Sequence, residues 1–116
     1  MPQAAALVLD NFDAVVVPFP FTDRLATKRR PALVLSAAGF NENSGNAVLA
    51  MITSAGQSSW PGDMAIRKLA AAGLSSPCLV CLKLFTLDKH LILRKSGRLA
   101  AVDITALQKL WHPLLL

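Results

Sequence analysis

The segments that decide the fold are Asp13–Phe19, DAVVVPF, together with Pro31–Ser36, PALVLS, and Asn46–Thr53, NAVLAMIT. Each is a short run rich in Val, Leu, Ile and Ala, bounded by Pro, Gly, Asn, Ser or Asp. Short apolar runs punctuated by turn-forming residues read as strands, because a helix needs a longer periodic stripe. Working outward, Met64–Arg67 reads as a short strand, Cys78–Thr86 as a longer one with Lys83 as its single charge, and His90–Lys95 as a short strand or bent segment. Pro31 is expected to begin its strand, where a missing backbone donor is tolerated. The stretches between, Pro20–Arg30, Gly39–Gly45, Gly56–Gly62 and Gly73–Pro77, read as loops and turns.

Only the end of the chain carries a helical period. Ile104, Leu107, Leu110, Trp111 and Leu114 fall on one helical stripe, Asp103 is placed to cap its start, and Pro113 is expected to end its regular turns. The expected class is therefore mainly β, a partly open barrel of SH3-like type with one C-terminal α-helix, since closing a small sheet on itself removes exposed edges. No repeat, low-complexity tract or linker divides the chain. Residues 1–116 read as a single domain, with residues 1–11 as an N-terminal extension.

With 53% apolar and 16% charged residues, the chain has ample surface to bury and is not of the disordered class. A net charge of +5 favours an anionic partner without naming it. Tyr is absent, and five Phe and two Trp are too few for rows of base-stacking platforms, so a nucleic-acid site here would work through phosphates. The apolar run Ala4–Leu9 is too short to span a membrane and has no basic residue before it. No membrane role is expected, and a cytoplasmic location is the default.

Cys78 and Cys81, spaced as CLVC in a strand, would face opposite sides of the sheet, which disfavours both a disulfide and a shared metal. His90 and His112 lack ligand spacing and read as ordinary surface or packing residues. There is no phosphate-binding loop, dinucleotide fingerprint, HExxH or GxSxG motif, so neither a cofactor nor a metal is expected. With Glu42 as its only Glu, the chain gives poor support to a two-carboxylate hydrolase.

The charge is concentrated at Lys28, Arg29 and Arg30, a consecutive triplet at a loop-to-strand boundary. Pro31 stiffens the backbone beside Arg30, and a fixed guanidinium is what bidentate phosphate recognition needs. Thr53 and Ser54 come where the strand AVLAMI runs out, a place where a hydroxyl is both held and exposed.

Taken in order, DAVVVPFPFTD, KRRPALVLS, AVLAMITS, GLSSP and LVCLKLFTLDKHLI resemble the PemK/MazF-like toxins of bacterial toxin–antitoxin pairs, over roughly Asp13–Leu110. The resemblance implies a small SH3-like barrel, a homodimer, and sequence-selective, metal-independent cleavage of single-stranded RNA that inhibits growth. It also implies a cognate antitoxin, with DNA reached only through the antitoxin complex. Arg30 then matches the catalytic arginine and Thr53 its partner. Thr22, Asp23, Lys28, Arg29 and Ser54 become RNA-contact candidates. Such a reaction proceeds by attack of the 2′-hydroxyl on the adjacent phosphorus to give a 2′,3′-cyclic phosphate. The chain departs from the family where members have Ser and Arg in PSVVR and it has Cys78 and Cys81, and where Phe12 replaces a Gly. The missing Arg removes a positive charge from the expected dimer or RNA face. Two alternatives are a non-catalytic barrel toxin that poisons DNA gyrase by protein contact and a decayed toxin that only binds its antitoxin. Retention of Arg30 with Thr53 favours the nuclease.

Overall fold

A computed structural model describes residues 7–19 and 28–116. Among them, one antiparallel sheet runs in the order β4-β5-β3-β2-β1-β6, from β1 (Asp13–Phe19), β2 (Lys28–Val34), β3 (Asn46–Ser54), β4 (Met64–Ala65), β5 (Cys78–Asp88) and β6 (Arg94–Arg98). Two helices accompany it, α1 (Ala38–Ser44) and α2 (Ala101–Leu115). The sheet curls into a half-barrel whose two faces carry separate cores. Ala14, Leu33, Ala50, Ile52 and Val80 meet Leu107 and Trp111 of α2 on one face. Val15, Val17, Ala32, Val34 and Leu49 pack with Leu87 and Ile92 on the other. Alternate residues of the same strands serve the two cores, as the two-residue period of a strand requires.

The expected class and the first strand hold, and the departures have local causes. Strand β2 begins at Lys28 and not at Pro31. Pro31 pairs with Val16 on the β1 side, whereas the ladder to β3 starts only at Ala32, so its lack of a backbone N–H leaves no ladder bond unmade. The Gly39–Gly45 segment folds as α1, not as a turn, despite its Asn and Ser content. Asp10 accepts the Ala38 N–H at 3.0 Å, buried Asn41 donates to the carbonyls of Leu9 and Ser36, and Gly45 ends the helix at φ 70°. Leu9 is buried in the second core and Leu7 packs against it, so the inner part of the N-terminal extension belongs to the barrel.

At the other end, α2 is capped by Ala100 and not by Asp103. Asp103 is fully buried and accepts the backbone N–H groups of Arg67 and Lys68 at 2.9 and 3.0 Å, fastening that loop to the helix. Pro113 does not end the helix, which runs to Leu115; the bond a proline removes falls in the exposed last turn. Phe12 sits at φ 71°, the one non-glycine at positive φ among the described residues. The resemblance leads one to expect a glycine there, the residue that adopts this region without a Cβ penalty. Among the described residues no helix is long and apolar enough to cross a membrane.

Candidate functional site

A cleft of about 580 Å³ opens at the end of the sheet where β2 begins and β3 finishes, and Arg29, Arg30, Thr53 and Ser54 all line it. Strand register brings Arg30 and Thr53 together. Ala32 pairs with Met51 and Leu33 with Ala50. Continuing that register two residues past the last pair sets Arg30 opposite Thr53. Arg30 is also paired with Val17 on β1, and its guanidinium lies 5.4 Å from the centre of the Phe19 ring. Backbone pairing and ring contact together hold its direction.

The opposite wall is Gly73–Ser76, the GLSSP turn, with Gln57 and Ser96 completing the polar lining. This wall docks on β6 through two glycines. A Cβ on Gly73 would sit 2.2 Å from the Ser96 carbonyl oxygen, and one on Gly97 would sit 2.3 Å from that of Ala71. The Ser96 hydroxyl adds a contact of 2.9 Å to the Ala72 carbonyl oxygen. The described lining therefore includes three arginines, Arg29, Arg30 and Arg94, with Thr53, Ser54, Ser75, Ser76 and Ser96, and among its residues there is no carboxylate or imidazole. Such a surface binds and polarises an oxyanion, and it offers no side chain that titrates as an ordinary base near neutrality.

Not every expected residue comes to the cleft. Lys28 is exposed at the start of β2, opposite Phe19, and is not part of the lining. Thr22 and Asp23 lie outside the described residues. Cys78 and Cys81 are buried free thiols. Cys78 lines the cleft and its thiol lies 3.2 Å from the Ser76 carbonyl oxygen, and burial pushes that thiol up. Cys81, where the resemblance leads one to expect an arginine, is not part of the lining. Burial pushes its thiol up too, and it adjoins Ser58 and Asp63 at the base of the loop after β3. Burial acts to raise the Asp63 carboxyl, but the Ser58 hydroxyl at 2.6 Å and the Trp60 N–H at 2.9 Å outweigh it and hold the group below the usual carboxylate value. Sequence reasoning missed Arg94, Gln57 and the serines of the wall. The GLSSP turn was visible, but nothing local said which strand it would dock against.

Beside the C-terminal helix lies an open apolar groove of about 520 Å³ formed by Trp60, Pro61, Leu82, Leu84, Leu114 and Leu115. Leu110 and Leu114, expected on the buried stripe of α2, are 38% and 52% exposed.

The half-barrel with one covering helix frames a cleft lined by arginines and hydroxyl residues. The sequence pattern of the PemK-like, MazF-like toxins of type II toxin–antitoxin systems matches residues 10–112, and the chain belongs to that family. Among solved structures, it is similar to the MazF of Deinococcus radiodurans at 25% identity and TM-score 0.69, covering 94% of this chain and 97% of that one. The MazE–MazF complex of the same organism gives 23% identity and TM-score 0.71 over 94% and 96%. An endoribonuclease in complex with its cognate antitoxin, from a mycobacterial species, gives 14% identity and TM-score 0.70 over 93% of each chain. No curated protein matches the chain.

Proposed function

We propose that this toxin is a sequence-selective endoribonuclease that cuts single-stranded RNA and is restrained by a cognate antitoxin. The observation that carries the reading is the convergence of Arg30 and Thr53, from different strands, on one cleft with no carboxylate among its described residues. In the reaction, the 2′-oxygen forms a bond to the adjacent phosphorus while the bond to the 5′-oxygen breaks. The products are a 2′,3′-cyclic phosphate and a free 5′-hydroxyl, and no metal is needed for that exchange. Negative charge builds on the phosphate in the transition state. The fixed guanidinium of Arg30 and the hydroxyl of Thr53 are donors placed to meet it, and one such donor is worth on the order of 10²–10³ in rate. Arg29 and Ser54 extend the contact to the backbone without reading bases.

A second copy of the chain is the proposed occupant of the apolar groove, because an open apolar surface of this kind on a small barrel is usually covered by a partner. Incubating the protein with a long single-stranded RNA in EDTA, then mapping the new ends, tests the activity. Fragments with 5′-hydroxyl and cyclic-phosphate ends at recurring short sequences support the reading. Intact RNA across a range of sequences contradicts it and returns the chain to the gyrase-binding or antitoxin-binding alternatives.

A further inference from the structure

Arg94 and Lys95 are neighbours on β6 with the same charge, yet the fold sends them to opposite faces of the sheet. A β-bulge does the sorting. Asp13 pairs with Arg98 and Ala14 with Gly97, but Val15 then pairs with Lys95, so Ser96 is passed over. One extra residue exchanges the faces of every residue beyond it. With unbroken pairing, Lys95 would stand opposite Val16 and Arg94 opposite Val17. With the bulge, Lys95 shares the face of buried Asp13 and lies 3.3 Å from its carboxylate, which Arg98 also meets at 3.3 Å. Arg94 instead pairs with Val16, which pairs on its other side with Pro31, and all three line the cleft. Among the described residues Arg94 has no carboxylate partner. Ser96, the extruded residue, lies within 3.2 Å of the Ala14 and 2.9 Å of the Ala72 carbonyl oxygens, which fixes the bulge in place.

We infer that Arg94 is a phosphate-binding arginine of the cleft beside Arg29, which pairs with Pro18 and so shares the Val16 face with Arg94, each gripping its own backbone phosphate, so that the RNA strand crosses β1 from β2 toward β6. The inference rests on the RNA-cleaving reading above. Arg29 and Arg94 stand on the two strands that flank β1, about two strand spacings or roughly 10 Å apart across the sheet. Each guanidinium therefore serves its own phosphate. The three arginines together neutralise three phosphates and turn the bulge into a binding device: it delivers to the cleft a cation with no carboxylate partner among the described residues and leaves the other with Asp13.

The test compares Arg94→Ala, Arg94→Lys and Lys95→Ala with the wild type. Binding is measured on a labelled mixed-sequence RNA with every 2′-hydroxyl methylated, which cannot be cut, as a function of salt. Arg94→Ala should weaken binding about tenfold and reduce the log–log salt slope by about 0.7. Arg94→Lys should keep the slope and recover part of the affinity, since charge remains but the planar fork is lost. Lys95→Ala removes an equal charge from the same strand and should leave both unchanged. On cleavable RNA, Arg94→Ala should raise KM about tenfold with kcat within about threefold. Thermal melts of each variant separate a binding loss from misfolding, and Arg94→Lys carries the comparison if the alanine variant melts early. Equal effects from Arg94→Ala and Lys95→Ala, or none from either, overturn the inference while wild-type cleavage leaves the RNA reading standing. A kcat loss with unchanged KM in Arg94→Ala moves Arg94 to the scissile phosphate and overturns the assignment to a neighbouring one. A wild type that neither binds nor cuts RNA removes the reading and the inference together.

Discussion

Gly97 approaches Ala71 so closely that a methyl group added to it would meet the Ala71 carbonyl oxygen at 2.3 Å. The contact seats the Gly73–Ser76 wall of the cleft against β6, the strand that carries Arg94 and Ser96. Gly97→Ala must push that wall away or strain the backbone, and overpacking of this kind costs about 1–3 kcal/mol. We expect a lower denaturation midpoint with an unchanged m-value, and RNA cleavage reduced more than the stability loss explains. Gly73→Ala should be worse, because Gly73 also has φ 73° and any side chain there is strained. A Gly97→Ala variant with wild-type stability and rate would show that the wall is not held by this contact.

The acid sensitivity of the loop after β3 follows from Asp63. Its carboxyl is held below the usual value in the folded protein, with burial opposing and the bonds from Ser58 and Trp60 prevailing. A depressed folded value means that this group contributes stability above the ordinary carboxylate range and loses it as pH falls through the folded value. Asp63→Asn should therefore lower stability at neutral pH by about 1–3 kcal/mol and should flatten the acid limb of the stability curve. Parallel curves for the variant and the wild type from neutral pH into the acid range would contradict this.

The apolar groove makes an assembly prediction. Leu114 and Leu115 are 52% and 51% exposed beside Trp60 and Leu84. Light scattering at micromolar concentration should give the mass of two chains. Leu114→Asp should shift it to one, because a carboxylate buried at such a contact has no partner. A wild-type protein that stays at the mass of one chain would remove the second copy as the occupant of the groove.

Arg29 and Lys28 differ in position despite adjacent places in the basic triplet. Arg29 lines the cleft and Lys28 does not. Three arginines on the strand of RNA give an expected log–log salt slope near −2.1, at about −0.7 per contact. Arg29→Ala should bring it to roughly −1.4 and weaken binding evenly across sequences, with the cleavage position unchanged. Lys28→Ala should leave the slope alone. Equal flattening by the two variants would mean that the triplet acts as a diffuse charge.

How much of this was legible in the sequence depends on whether the cause was local. Strand β1 was readable to the residue because Val15 and Val17 are core positions between turn signals. Arg30 and Thr53 were legible from their motifs, and register then brings them to one cleft. Helix α1 was not, since its support comes from Asp10, Leu9 and Ser36, outside the segment itself. Asp103 looked like a cap, but its carboxylate is used by the backbone of Arg67 and Lys68, a partner far away in sequence. Arg94 could not be read as a site residue because its face depends on the bulge at Ser96. A strand pattern without its partner does not show a bulge.

In the proposed reaction Arg30 stabilises the charge that builds on the cleaved phosphate. The most direct measurement is the single-turnover cleavage rate of Arg30→Ala on a single-stranded RNA that the wild type cuts, with thermal melts run in parallel. Because Arg30 is exposed near the start of β2, truncation should leave the melt within a few degrees while lowering the rate by at least about 10²-fold, and Arg30→Lys should fail as well. Cleavage by a folded Arg30→Ala protein at the wild-type rate would contradict the account.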